Sequence, residues 1–555
     1  MESCMIRLKF QRWFAFFGLA ALLASTHDLS AATRSKKGPV VPKWGLLDQS
    51  FKSSAHYTNP VQQATLLVTF VSPDHQTNIV EGFWDGGKTW RVRFCPDTVG
   101  QWQYYSACSD ASNLGLNDRA GEFICTSVTG PTRFNQHGPV RVAKDRRHFE
   151  HADGTPFFWI ADTVWDGPRL AQGKDWEYYA GTRGLQKFTV AQWSVFPGID
   201  AKKEAGWKGD PDSISINPDF FRRLDDRIDM LGRAGILNAI APFMELPSRA
   251  VANPLREDQA ALLIRYAVAR WGSYPVAWLV ACGGDSQAKN VGRWKRIGLA
   301  AFSNGIDHAP VVLYPGETTW IFNEFRDQPW VDAFAYSAVT DQSDDALKLA
   351  VAGPFANEWK QPPARVLISV APLENSVAPE SKKRFTAQEI RRGIYWGELM
   401  TVPAGASYGA QGVVEWDTSF DPAAKSKEDR LPIWRKSLFL PGAKQMAHVA
   451  SVFQGVQFWR LRPEPRYVPD QPGQSAPSRF IAAAGTDAKD LSLVYVPEDR
   501  TVEIAVEALP ASPSVSWFNP RDGQTSPAVA VVGARTCQFP TPDQGDWLLM
   551  MKAGK

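Results

Sequence analysis

The run Trp278-Leu-Val-Ala-Cys-Gly-Gly-Asp285 is an apolar segment that ends at two glycines and a carboxylate. Its apolar part has the pattern of a strand buried on both faces, as parallel strands covered by helices are. Two glycines then allow a sharp turn and leave Asp285 at the C-terminal end of that strand. Val366-Leu-Ile-Ser-Val-Ala-Pro-Leu-Glu374 repeats the grammar, again ending on an acid. One proton donor and one carboxylate at strand ends are the minimum equipment for cleaving a glycosidic bond. Asp285 is the candidate general acid/base and Glu374 the candidate nucleophile. Each has a plain alternative: Gly-Gly-Asp is a good turn and a helix cap, and Glu374 could be a loop or ion-pair residue.

Other carboxylates fall at similar places. Asp162 ends a first strand, where it could bind sugar hydroxyls or brace a barrel rim. Glu245, after a third strand, is a substrate-binding candidate, and Glu415, placed in an eighth, is in reserve. Trp193, Tyr408 and Trp416 lie near strand ends and could form stacking walls or pack in a core.

Strands and helices alternate from about 138 to 450. Eight strand starts fall near Phe157, Phe188, Leu237, Val276, Val311, Ala333, Val366 and Gly412. Asn217-Pro218 opens a helix with Phe221, Leu224, Ile228 and Leu231 on one face. Thr386-Ala-Gln-Glu389 has the spacing of a capping box. Eight strand–helix units over roughly 300 residues fit a (β/α)₈ TIM barrel, whose catalytic groups sit at the C-terminal strand ends. Residues 38–130 and 452–555 instead carry short β-branched and aromatic runs between Pro- and Gly-rich turns, the pattern of flanking β-sandwiches. The expected fold class is therefore multidomain α/β and β, with a barrel between two sandwiches and boundaries near 135 and 452.

The N-terminus reads as a secretory signal over 1–32. Arg7, Lys9 and Arg12 precede an apolar run from Trp13 to Ala24, and Ser30-Ala-Ala32 supplies a small-residue exit. That run falls short of the ~20 apolar residues a bilayer needs, so a secreted or periplasmic protein with no span after cleavage is expected. In such a compartment Cys108 and Cys125, on β-patterned segments around one loop, are the pair best placed to bridge. Cys282 reads as a small core residue.

The 555 residues are 44% hydrophobic and 21% charged, with formal net charge +3 spread along the chain. That composition is ordinary for a globular protein with large cores, and nucleic acid is not an expected partner. No His-Glu-x-x-His, no Gly-x-Ser-x-Gly elbow, no phosphate loop and no metal-ligand spacing occurs, so neither metal nor cofactor is expected.

Several motifs resemble known families. Tyr57-Thr-Asn-Pro60, Gly82-Phe-Trp-Asp-Gly-Gly87 and Arg93-Phe94 resemble a sandwich of uncharacterised role that precedes bacterial glycoside hydrolases. Trp159-Ile-Ala-Asp-Thr163 with Trp165, Gly283-Gly-Asp285, Pro372-Leu-Glu374-Asn, and Tyr408-Gly-Ala with Trp416 resemble the apiosidase-like barrel family. Phe458-Trp-Arg-Leu-Arg-Pro463, Val494-Tyr-Val-Pro497, Trp517-Phe-Asn-Pro520 and Gly545-Asp-Trp547 resemble a domain named for collagen binding. Members of the barrel family commonly carry two glutamates flanking an aromatic residue after strand seven, where this chain has Ala371-Pro-Leu-Glu374-Asn. The resemblance implies removal of sugars from a complex glycan such as plant cell-wall polysaccharide, with carbohydrate as the partner. The competing expectation is a carbohydrate-binding or scaffold protein on a decayed barrel.

Overall fold

A computed structural model describes residues 38–245, 255–282, 287–303, 305–314, 321–420 and 431–554. Eight parallel strands close into a barrel: β1 (Trp159–Thr163), β2 (Val190–Ser194), β3 (Leu237–Ala241), β4 (Val276–Cys282), β5 (Val311–Tyr314), β6 (Ala333–Tyr336), β7 (Val366–Glu374) and β8 (Gly405–Ala410). Pairing of β1 with both β2 and β8, and of β3 with β4, closes the ring. The main helices outside it are α1 (Gly173–Leu185), α2 (Pro218–Arg233), α3 (Glu257–Trp271), α4 (Gln287–Phe302), α5 (Asp344–Ala352), α6 (Ala387–Met400) and α7 (Pro441–Gly455).

The local signals act as their chemistry requires. In α2, Asn217 is the N-cap residue, and Phe221, Leu224, Ile228 and Leu231 are buried on one face. Its side chain does not cap the helix; it donates to the Ala205 carbonyl instead. The capping box of α6 forms, with Thr386 and Glu389 exchanging bonds. Strand eight departs from expectation. It spans Gly405–Ala410, not a run from Gly412, because Gly-Ala-Ser-Tyr-Gly-Ala is poor in the β-branched residues that advertise a strand. Glu415 therefore lies outside the strand, in the turn that follows, and is exposed.

Sheets of five and three strands form the N-terminal region, between Val40 and Thr126. Sheets of six and three strands form the C-terminal region, between Leu461 and Ala553. The expected Cys108–Cys125 bridge is not made, and both stand as free thiols. In the antiparallel hairpin, Tyr105 faces Ala120, whereas Cys125 runs back to face Gly100. The two cysteines thus sit at opposite ends of the hairpin, roughly 25 Å apart at the rise of a strand. A strand pattern locates residues along the chain but does not reveal the register that separates them.

Both sandwiches are fastened to the barrel by buried ion pairs. Arg270 of α3, with no exposed surface, reaches Asp225 of α2 at 2.7 Å and Asp85 of the N-terminal region at 2.9 Å. Arg93 adds a bond to Asp225 at 2.8 Å. Burial works against the ionised form of Asp225, but Arg270 and Arg93 outweigh it and hold that carboxyl below its ordinary range. On the other side Arg391 of α6 forks onto Asp546 at 2.6 and 2.8 Å, and Tyr495 donates to the same carboxylate at 2.9 Å. Bidentate guanidinium pairing is the geometry that best offsets the desolvation of both charges.

Candidate active site

Side chains alternate across each barrel strand, so register decides which reach the interior. Asp162 of β1 lies on the helix-facing side. Its carboxylate takes bonds from Arg183 at 2.7 Å and Tyr179 at 2.8 Å, both on α1. Burial pushes this carboxyl up, and Arg183 and Tyr179 pull it back. Tyr408 pairs with Asp162 across β8 and shares that face, with the Arg183 guanidinium 5.8 Å from its ring centre. Its hydroxyl donates to Glu374 Oε2 at 2.5 Å, and the backbone N–H of Gly442, in the first turn of α7, donates to Oε1 at 3.1 Å. Glu374 is 3% exposed.

That placement bears directly on the chemistry expected of Glu374. Its carboxylate lies in the layer between barrel and helices, with both oxygens engaged, and ties β7, β8 and the positive end of α7 together. In this arrangement it braces the wall and does not present an oxygen to the mouth. A shift in register between Val370 and Leu373 sets this facing, which one bulge is enough to do. Trp193 and Trp416 also occupy the outer layer. Trp193 donates to Asn238 at 3.2 Å and packs near Trp271, and Trp416 stacks on Trp434 with ring centres 4.1 Å apart. Asp162, Tyr408, Trp193 and Trp416 are thus core or bracing groups, where the sequence left open a sugar-contacting role. Each is at most 2% exposed, which leaves no surface for a ligand.

The interior face carries other groups. Thr163 donates to Gln192 at 3.1 Å and Gln192 donates to Ser407 at 2.9 Å, a buried polar chain across β1, β2 and β8. Beyond the strand ends, Trp165 and Tyr314 meet edge to face with ring centres 5.7 Å apart. They follow β1 and end β5, which are opposite strands of the ring. The contact therefore spans the mouth. Tyr314 was not singled out in the sequence because Val311-Val-Leu-Tyr314 reads as uniform core; only closure of the ring places its last residue at the mouth.

Around this mouth the described acids are mostly engaged. Asp166 pairs with Arg169. Asp341 accepts the backbone N–H groups of Ser343, Glu380 and Ser381, which outweigh the cost of its burial and hold its carboxyl well below the usual range. Those bonds tie the loop after β6 to the loop after β7. The backbone of Met244–Glu245 pairs with Ala281–Cys282 of β4. Asp285 lies outside the described residues. Among the described residues no group of three or more metal-ligating side chains occurs.

Residues 143–460 match the family described as "Apiosidase-like, catalytic domain". Residues 40–109 match a domain of unknown function, DUF5060, and residues 463–552 a "putative collagen-binding domain of a collagenase". No curated protein matches the chain. Among solved structures, a "putative glycoside hydrolase" from Bacteroides vulgatus ATCC 8482 superposes with a TM-score of 0.66 at 18% identity, covering 93% of this chain and 99% of that one. A glycoside hydrolase family 5 structure from the same organism gives 0.65 at 17% identity, covering 77% of this chain and 95% of its own. At such identities the likeness establishes fold. The first family match spans more than half of the sequence: the chain belongs to the apiosidase-like family, a glycoside-hydrolase-type barrel set between two β-domains.

Proposed function

We propose that this protein is an exported glycoside hydrolase that trims a complex glycan, plant cell-wall polysaccharide being the substrate class that its resemblance to apiosidase-like barrels favours. Support comes from the closed barrel of an apiosidase-like domain, whose mouth carries the Trp165–Tyr314 pair above a buried polar chain. Asp285, three residues beyond the end of β4 in the sequence, is the proton donor to the leaving oxygen. A second carboxylate completes the pair. Export is supported by the basic, apolar and small-residue order of the first 32 residues.

One observation favours a second reading. Glu374 is buried and held by Tyr408 and Gly442, which fits a barrel that binds glycan without cleaving it. Incubating the purified protein with a panel of pectic polysaccharides separates the two. Release of free sugar that disappears in Asp285→Asn supports the hydrolase; saturable binding with no product from any member supports the binder.

A further inference from the structure

We propose that the end of the barrel opposite the mouth carries a second carbohydrate site, which holds an acidic polysaccharide by its carboxylates; this rests on the glycan-directed reading above but not on turnover. Four cations meet there. Arg146 and Arg147 lie in the turn between the strands Val140–Val142 and Phe149–His151, and Lys360 and Arg365 in the segment that leads into β7. Arg365 directly precedes Val366, the first residue of β7, which sets the group at the N-terminal rim of the barrel.

None of the four makes an ion pair with a carboxylate among the described residues. Their guanidinium groups rest on main-chain carbonyls instead. The Ala364 carbonyl accepts from Arg146 at 3.2 Å and from Arg365 at 3.5 Å, and Trp359 accepts from Arg147 at 3.0 Å. A carbonyl orients a guanidinium but leaves its positive charge uncompensated. Elsewhere in the chain arginines end on carboxylates, as Arg270 and Arg391 do.

Like charge is crowded at this rim. Burial, and then Arg462, hold the Arg147 guanidinium below its ordinary range; burial, and then Arg146, do the same to Arg365. The acids that face the group are few. Asp145 is taken up by His148 at 3.1 Å, Asp487 stands 3.9 Å from Arg462, and Asp332 accepts the Val311 N–H at 3.0 Å. The rim is therefore left with a positive field.

Two indoles lie among these cations. Lys360 and Arg147 sit over the Trp359 ring, 5.1 and 6.0 Å from its centre, and His148 stacks on Trp459 with ring centres 5.0 Å apart. Both tryptophans keep exposed surface. Arg462, whose guanidinium donates to the Trp459 carbonyl at 3.0 Å, carries the surface into the C-terminal region. A uronic acid residue needs this combination: an indole for its C–H face, and a cation for its carboxylate. Because the cations come from three separate segments, a polymer with a carboxylate on every unit meets several at once, where a single sugar meets one.

The test is affinity electrophoresis with calorimetry of the full chain, run cold to suppress turnover, on polygalacturonate, its methyl ester and neutral arabinan. Expected are binding of polygalacturonate that weakens as salt rises, and affinity at least about tenfold lower for the ester and for arabinan. Lys360→Glu and Arg147→Gln should each weaken polygalacturonate about tenfold, as loss of a charge-assisted contact does. The Lys360 side chain is exposed and makes no hydrogen bond, so Lys360→Glu should melt as wild type and decides the matter if Arg147→Gln fails to fold. Equal binding of acid and ester, or Lys360→Glu binding as tightly as wild type, overturns the site. Heparin or duplex DNA held as tightly as polygalacturonate at the same ionic strength also overturns it, in favour of a general polyanion surface. The expected preferences without release of sugar from any glycan sustain this site and sink the hydrolase reading alone; sugar release without those preferences does the reverse.

Discussion

Facing separates Glu374 from Glu415. Both are glutamates near strand ends, yet Glu374 accepts from Tyr408 and Gly442 in a buried layer while Glu415 meets water. Removing a buried charge-assisted bond of this kind costs about 1.5–3 kcal/mol, so Glu374→Ala is expected to lower stability by about that much in urea unfolding; an unchanged midpoint would show that it braces nothing. Glu398 of α6 gives a prediction with a pH sign. Burial raises its carboxyl well above the usual range, and Oε1 has no hydrogen-bond partner among the described residues. At a pH below the unfolded value of about 4.3 the folded and unfolded chains both hold the proton, and the site costs nothing. As pH rises further, the unfolded chain releases the proton while the native one keeps it, and stability falls until the raised native pKa is passed. Glu398→Gln should therefore melt higher than wild type at pH 7 and match it near pH 4. A variant that melts lower at both would refute a protonated native glutamate.

At the scale of elements, most of the barrel was legible. Seven of eight strand starts lie within two residues of the expected positions, because β-branched and aromatic runs with flanking turns survive tertiary packing. Strand eight was misplaced because its small residues carry little strand signal. Facing was not legible at all. Asp162 and Glu374 end strands as expected, but a two-residue alternation and one bulge decide which side they take, and neither is visible without the partner strand. The same blindness to register suggested a Cys108–Cys125 bridge in a hairpin that holds them apart. The α2–α3 pair shows what an element-level change should cost. Asp225 receives Arg270, Arg93 and the Trp271 indole, at 2.6 Å for the last. Asp225→Ala takes the shared carboxylate from two buried guanidinium groups, leaving Arg270 with Asp85 and Arg93 with Asp48, and is expected to cost about 3–5 kcal/mol. Because its native pKa is lowered, the wild-type contribution is present above pH ~4 and fades as acid takes the pH through the native value. A loss under 1 kcal/mol at pH 7 would mean the network is not fully desolvated.

Across the whole molecule, the flanking domains behave as parts of one body. Asp85 and Arg93 on one side, and Asp546 on the other, complete ion pairs rooted in barrel helices. Deleting residues before 130 should strip Arg270 of Asp85 and Asp225 of Arg93, and a barrel so truncated is expected to be aggregated or to melt well below the full chain; equal melting would show an independent domain joined by a passive contact.

The most direct measurement of the central claim is product release from glycan. Purified wild type and Asp285→Asn, matched for circular dichroism, are incubated with pectic polysaccharides and assayed for liberated monosaccharide by chromatography. A hydrolase releases a defined sugar from at least one substrate, and Asp285→Asn lowers the rate by about 100-fold or more, as loss of a general acid requires. Binding of the same polysaccharides without release of any sugar, or equal release by both proteins, would contradict it.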